Sequence, residues 1–247
     1  MQKLLCFLLI FLLACPVSAA EVPILMYHHF TETDTGLPDR CSAGAFREHL
    51  ETLTDAGYTS ITFRELLDWA DGTGELPEKP VILTADDGYR SVLEIALPLL
   101  QEYGMTMSAA VVGSRLGASD GIPHFSLAEA AGTGLELVSH TWDMHGAEGH
   151  GVLTPHGTMD PRLPADIVRM RQFPEIAGNV FVYPFGKHTT GVDTLLAAFG
   201  YRITVTTLPG IADIRRGDRD SLHLLPRISM DGDSDLSWVK NSTGKNP

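Results

Sequence analysis

Short apolar runs rich in β-branched residues alternate along this chain with longer segments of helical period, the pattern of parallel strands joined by crossover helices. The strand candidates are Ile24–Tyr27, Thr59–Thr62, Val81–Ala85, Ser108–Val112, Leu135–Ser139, Val180–Tyr183, Ile203–Thr207 and Leu222–Leu225. Between them Ala45–Asp55, Phe63–Asp71, Ser91–Tyr103, Ser126–Ala131, Ala165–Gln172 and Val192–Phe199 read as helices. Pro98 is expected to break or kink the third helix, and Gly104 and Gly200 stand where left-handed caps belong. Roughly seven or eight such units, with no Ser/Pro/Gly linker or internal repeat, predict one α/β domain: a distorted parallel (β/α) barrel of about seven strands. Gly146 to Pro164, rich in Gly, His and Pro, reads as a long loop, functional or mobile.

The N-terminus reads as a leader. Leu4 to Ala14 is polar only at Cys6, too short to span a bilayer but suited to a signal-peptide core. Ser18-Ala19-Ala20 places cleavage after Ala20, giving a signal peptide over 1–20, a domain over 21–240 and a tail over 241–247. The expected location is therefore outside the cytoplasm, periplasmic or extracellular. Leu12-Leu13-Ala14-Cys15 also reads as a lipoprotein box, ranked second because the leader before Cys15 is short. Cleavage after Ala20 leaves Cys41 as the single cysteine, so no internal disulfide forms and stability must come from a core. The formal charge of −13, with no basic run, argues against nucleic acid. It suits a neutral or cationic ligand, though plain solubility explains it equally well.

The residues able to do chemistry share one position. His28 follows Ile24–Tyr27, Asp86 and Asp87 end the run from Val81, His140 follows Leu135–Ser139, and Pro184 follows Val180–Tyr183. In a parallel barrel all these strand ends face one mouth. Asp87 with His140 and His145 makes a one-carboxylate, two-imidazole set that holds Zn²⁺ and leaves positions open for water and substrate. Lowering the pKa of water from about 15.7 to about 7 on such an ion is worth roughly 12 kcal/mol, more than any single hydrogen bond contributes. Asp86, forced by chain geometry to point differently from Asp87, is better placed as the base. Each element has a bland alternative. Asp-Asp-Gly-Tyr is an ordinary turn composition, and a five-residue His spacing does not put both rings on one helical face. His28 is also readable as a core histidine and His29 as structural or exposed. His49, His124, His150, His156, His188 and His223 read as solvated side chains, and Trp142 as either a pocket wall or a packing residue.

Thr84-Ala85-Asp86-Asp87-Gly88 resembles the first motif of the NodB-homology polysaccharide deacetylases, the fourth carbohydrate esterase family, with Ala85 in place of Phe. The resemblance implies that Asp86 is the catalytic base and Asp87 a metal ligand. Ser139 to His145 resembles the second motif, whose two histidines bind metal. The five-residue spacing and the opening Leu25-Met26-Tyr27-His28 are similar to the branch that deacetylates poly-N-acetylglucosamine during biofilm export. In that branch an N-terminal histidine is the general acid, which implies His28. Tyr183-Pro184-Phe185-Gly186 resembles the third motif, with Val182 replacing the arginine that usually orients the base and the Phe185 N–H available as an oxyanion donor. Leu225-Pro226-Arg227-Ile228 also resembles the branch, and Arg227 is the candidate for the missing positive charge.

The function so implied is metal-dependent removal of N-acetyl groups from N-acetylglucosamine units of an extracytoplasmic polysaccharide, with Zn²⁺ as the expected cofactor. The expected partner is the acetylated glycan, with an envelope or export complex left open. The rivals are a metal amidase on a small molecule, a non-catalytic glycan-binding module and a peptidoglycan deacetylase.

Overall fold

The computed structural model of the chain describes residues 18–119 and 121–242. Seven parallel strands form the barrel: β1 (Ile24–Tyr27), β2 (Pro80–Asp87), β3 (Ser108–Val111), β4 (Glu136–Ser139), β5 (Ile176–Val182), β6 (Ile203–Pro209) and β7 (Leu225–Ser229). Each pairs with its neighbour in sequence, and β1 closes the ring by pairing with both β2 and β7. The distortion lies in two register shifts, one between β4 and β5 and one between β6 and β7, where Pro226 has no N–H to give the ladder.

The helices are α1 (Ala43–Asp55), α2 (Phe63–Ala70), α3 (Leu97–Glu102), α4 (Leu127–Ala130), α5 (Leu163–Met170), α6 (Thr190–Ala198) and α7 (Ser237–Ser242). Four of them start on a hydroxyl that accepts a backbone N–H: Ser42, Thr62, Ser126 and Thr189. Thr62 with Glu65 and Ser126 with Glu129 complete capping boxes. Pro98 does mark an irregularity. Val92–Ala96 winds as one π turn before α3, because Pro98 cannot donate the i→i−4 hydrogen bond that would hold a regular helix there. Gly104 and Gly200 take positive φ just past α3 and α6.

The two-residue alternation of a strand sorts the side chains into shells. Val81, Leu83 and Ala85 of β2 pack with Phe46, Leu50 and Leu53 of α1 and Leu99 and Leu100 of α3. Ile82 belongs instead with Ile24, Ala110, Val138, Val182, Val205 and Leu225, which fill the ring. The same packed group takes in Phe63, Leu66 and Leu67 of α2, which closes the floor at the N-terminal strand ends. There the Glu136 carboxylate accepts the Phe63 and Arg64 N–H groups, each at 2.9 Å, anchoring the start of α2 beneath β4. With the floor closed, Asp86 and His140 stand on the inward face two or four residues above Ile82 and Val138.

Some expectations shift. Thr59–Thr62 pairs as a strand only over Thr59–Ser60, because Thr62 is the cap of α2. The helix expected at Ala165–Gln172 begins at Leu163, with Pro164 in its first turn. Leu222–Leu225 is not the last strand: a 3₁₀ turn covers Arg219–Leu222, and β7 begins at Leu225 and carries Arg227 inward. Between Gly146 and Pro164 the chain forms turns and one bridge, Leu153 to Met159, with Val152 and Leu163 buried. An antiparallel ribbon unforeseen in the pattern joins Ala19–Val22 to Ala212–Arg215, so Ala19 and Ala20 of the expected leader pair with Arg215 and Ile214. Residues 1–17 of that leader, with Cys6 and Cys15, lie outside the described residues, as does the tail beyond Ser242. Cys41 is buried with a free thiol.

Candidate metal centre and active site

Asp86 is the last inward-facing residue of β2, and it meets an arginine from the far end of the chain. Arg227 Nη1 donates to Asp86 Oδ1 at 2.8 Å and Nη2 to Oδ2 at 2.7 Å. The rest of the guanidinium is also engaged: Nε donates to Thr206 O at 2.9 Å and Nη1 also to Thr84 Oγ1 at 3.1 Å. Thr84 in turn donates to Leu25 O at 2.8 Å, so strands β1, β2, β6 and β7 all hold this pair. Burial alone would push the Asp86 carboxyl up. The charge and hydrogen bonds of Arg227 outweigh it and hold the group well below the usual carboxylate range, with smaller help from His140 and His28. Val182 stands at the position where the resemblance implies an arginine, and the positive charge beside Asp86 comes instead from Arg227 of β7.

Asp87 has φ of 74° and Gly88 of 80°, so the chain turns sharply as β2 ends and the Asp87 carboxylate leaves the alternation that governs Asp86. Asp87, His140 and His145 each offer a donor atom within 4.8 Å of the others. Nδ1 of buried His140 donates to Val182 O at 2.8 Å, which fixes the tautomer and leaves Nε2 with its lone pair toward the mouth. Thr141 takes φ of 73°, turning the chain so that His145 comes back beside His140 with ring centroids 4.9 Å apart. Desolvation lowers both imidazoles, His145 to about 4, so both are neutral at pH 7. Neutral imidazoles and a carboxylate are the donor set of zinc. Around a tetrahedral ion with bonds of about 2.0–2.2 Å, donor atoms stand about 3.3–3.6 Å apart. Asp87 Oδ1 and His145 Nε2 are 3.4 Å apart, so the residues present fit such an ion.

The tight turn Pro184–Gly186 forms one wall. Phe185 has φ of 58°, its ring lies 4.2 Å from that of His145, and it is 38% exposed. Gly186 cannot carry a side chain, since a Cβ there would come within 2.8 Å of Thr207 N, and a Cβ on Gly151 would press on Pro184 O at 2.7 Å. The long loop is thus packed against the turn it borders. His28, at the end of β1, is half-buried, with Nδ1 4.0 Å from Asp39 Oδ1 and without a hydrogen-bond partner among the described residues.

The structure therefore brings together Asp86, Asp87, His28, His140, His145, Phe185 and Arg227, and leaves two expected members out. Trp142 turns away: it stacks on Phe173 with centroids 5.3 Å apart, lies under Arg169 at 4.4 Å, and packs against Gly113, where no Cβ would fit. The side chain of Tyr183 points outward to α6, its hydroxyl donating to Asp193 Oδ1 at 2.7 Å. Of the histidines read as solvated, His49 and His124 are buried instead, and His49 Nδ1 lies 3.2 Å from Tyr27 Oη. The sequence reading missed two residues. Arg115 donates to Asp87 Oδ1 at 3.3 Å and to the His145 carbonyl. Asp166 of α5 accepts the Trp142 and Asp143 N–H groups, both at 2.8 Å, and so holds the loop that carries His145. Arg115 follows a strand end as the other site residues do, a signal that would have found it; Asp166 had none.

Comparison with known proteins matches residues 73–204 to the family model described as polysaccharide deacetylase. That span contains the three metal-ligand candidates, Asp86 and Phe185, while His28 and Arg227 fall outside it. A Bacillus subtilis (strain 168) protein named as a polysaccharide deacetylase, YxkH, is 30% identical over 200 residues, covering 80% of this chain and 68% of its own length. The poly-beta-1,6-N-acetyl-D-glucosamine N-deacetylase of Escherichia coli (strain K12) is 28% identical over 74% of this chain, and the match spans only 32% of that longer protein. The solved structure of a de-N-acetylase from Aggregatibacter actinomycetemcomitans superposes with a TM-score of 0.72 at 23% identity, over 90% of this chain and 99% of that one, a likeness of fold.

Proposed function

Because this chain belongs to the polysaccharide deacetylase family, we propose that it hydrolyses the N-acetyl groups of N-acetylglucosamine units in a polysaccharide, using a divalent metal, zinc by the character of its donors. The observation that carries this reading is the placement of a fully ionised, immobilised carboxylate, Asp86, next to a separate three-donor cluster. Asp87 Oδ1, His140 Nε2 and His145 Nε2 would hold the ion, which supplies Lewis acidity and lowers the pKa of a water from about 15.7 to about 7.

The chain's own groups do the rest. Asp86 accepts the proton of the attacking water, and Arg227 keeps the carboxylate charged and oriented while that happens. The Phe185 N–H, presented by a left-handed turn, donates to the oxygen that gains charge as the acetamide carbonyl is attacked. His28 gives a proton to the nitrogen as the C–N bond breaks, releasing acetate and an amine. The match to a poly-N-acetylglucosamine deacetylase supports that glycan as the substrate class. The leader-like N-terminus supports action outside the cytoplasm, on a polymer too large to enter a closed pocket.

Metal analysis combined with acetate release from an N-acetylglucosamine oligomer tests the reading on the wild type and Asp86→Asn. The wild type should hold about one metal ion and release acetate, and the variant should keep the ion and lose the activity. A variant with full activity would remove Asp86 from the base role.

A further inference from the structure

Arg115 ends the short 3₁₀ turn Gly113–Arg115 that follows β3, the strand between those bearing Asp87 and His140. This turn is sewn to the loop that leads to His145. Gly113 N–H donates to Thr141 O at 3.1 Å, and Ser114 N–H to Trp142 O at 2.7 Å. Ser114 Oγ donates to Asp143 Oδ1 at 2.7 Å. Arg115 thus reaches out from a fixed base. Its guanidinium spans two different ligand residues, with Nη1 on Asp87 Oδ1 at 3.3 Å and Nη2 on the main-chain carbonyl of His145.

We infer that Arg115 is a positioning residue of the metal centre, whose fork locks the Asp87 carboxylate to the His145 backbone so that their donor atoms stand ready 3.4 Å apart. The inference rests on the metal reading above. A planar guanidinium can serve a carboxylate and a carbonyl at once, whereas the point charge of lysine cannot hold both in one plane. The competing effect has the opposite sign. A cation beside a cation site repels the ion, so a purely electrostatic Arg115 would weaken binding, and its removal would tighten it.

The test uses the full chain stripped of metal. Zn²⁺ affinity is measured by chelator competition, and the visible spectrum of Co²⁺ reports coordination geometry, for wild type, Arg115→Ala and Arg115→Lys. Thermal melting of each metal-free protein verifies folding. At least tenfold weaker Zn²⁺ binding is expected in both variants, with an altered Co²⁺ spectrum and a melting temperature near that of wild type. Unchanged or tighter binding by Arg115→Ala overturns the inference, as does full recovery of affinity by Arg115→Lys. A wild type that takes up no metal overturns the metal reading and this inference with it.

Discussion

Arg227 and Asp86, 141 residues apart in sequence, meet edge to edge inside the barrel through two hydrogen bonds of 2.8 and 2.7 Å. Neither side chain is meaningfully exposed, at 0% and 3%. The arginine is thus both counter-ion and holder of the proposed base.

Removing one partner leaves an uncompensated charge in the interior. Arg227→Met should destabilise the fold by about 3–5 kcal/mol, whereas Arg227→Met combined with Asp86→Asn should recover much of that loss. Urea unfolding of the two variants decides it, and equal stabilities would show that the pair carries no such coupling. Because the Asp86 pKa is depressed on folding, the pair's contribution is present above the unfolded value of about 3.9 and is lost as pH falls toward the folded one.

The two adjacent aspartates should separate by phenotype. Asp86→Asn is expected to keep its metal and lose roughly 10²–10⁴ in kcat, while Asp87→Asn loses the metal. Metal content and acetate release measured on the same preparations check both. Metal loss in Asp86→Asn would reverse the two roles.

Burial pushes the His145 imidazole down to about 4, with the nearby His140 charge the next contribution. A proton therefore competes for its ligand nitrogen only in acid. Protonation of His145 should cost little metal affinity between pH 7 and about 5, and about tenfold per pH unit once pH falls below its value of about 4. Equilibrium titration across that range tests it, and a steep loss already between pH 7 and 6 would contradict the neutral state of the pair.

Gly186→Ala should cost at least about 1–2 kcal/mol, since φ is 65° and a Cβ would press on Thr207. The larger effect is expected in kcat, because the same turn sets the Phe185 N–H, with metal affinity preserved. Unaltered kcat would argue that Phe185 gives no help to the developing oxyanion.

Substrate length separates polymer from small molecule. kcat/KM on N-acetylglucosamine oligomers should rise from one sugar to several, through contacts along the open mouth. A flat profile would favour a small-molecule amidase.

The sequence reading located the barrel and the ligand candidates because both depend on local rules: apolar runs make strands, and reactive side chains lie just past their ends. It misplaced β7, whose central inward residue is an arginine. Nothing within Leu225–Ser229 shows that Arg227 is neutralised by Asp86, so the apolar stretch before it looked the better strand. Of the two roles open to Trp142, pocket wall or packing residue, it takes the second for a backbone reason. It lies between two ligand candidates in sequence, yet the positive φ of Thr141 carries it out of the cleft and onto Phe173. Arg115 carries the same signal, standing just past the end of β3, but the hydrogen bonds that sew its turn to the loop bearing His145 have no trace in the sequence.

The ring closes between β1 and β7, and these two strands deliver His28 and Arg227 to opposite ends of the proposed reaction. The holder of the proposed base therefore reaches its post only when the last stave joins, whereas β1, which leads into the proposed proton donor, is already set by its pairing with β2. A nascent chain short of its final strand would carry the ligand candidates but leave the Asp86 carboxylate without its counter-ion.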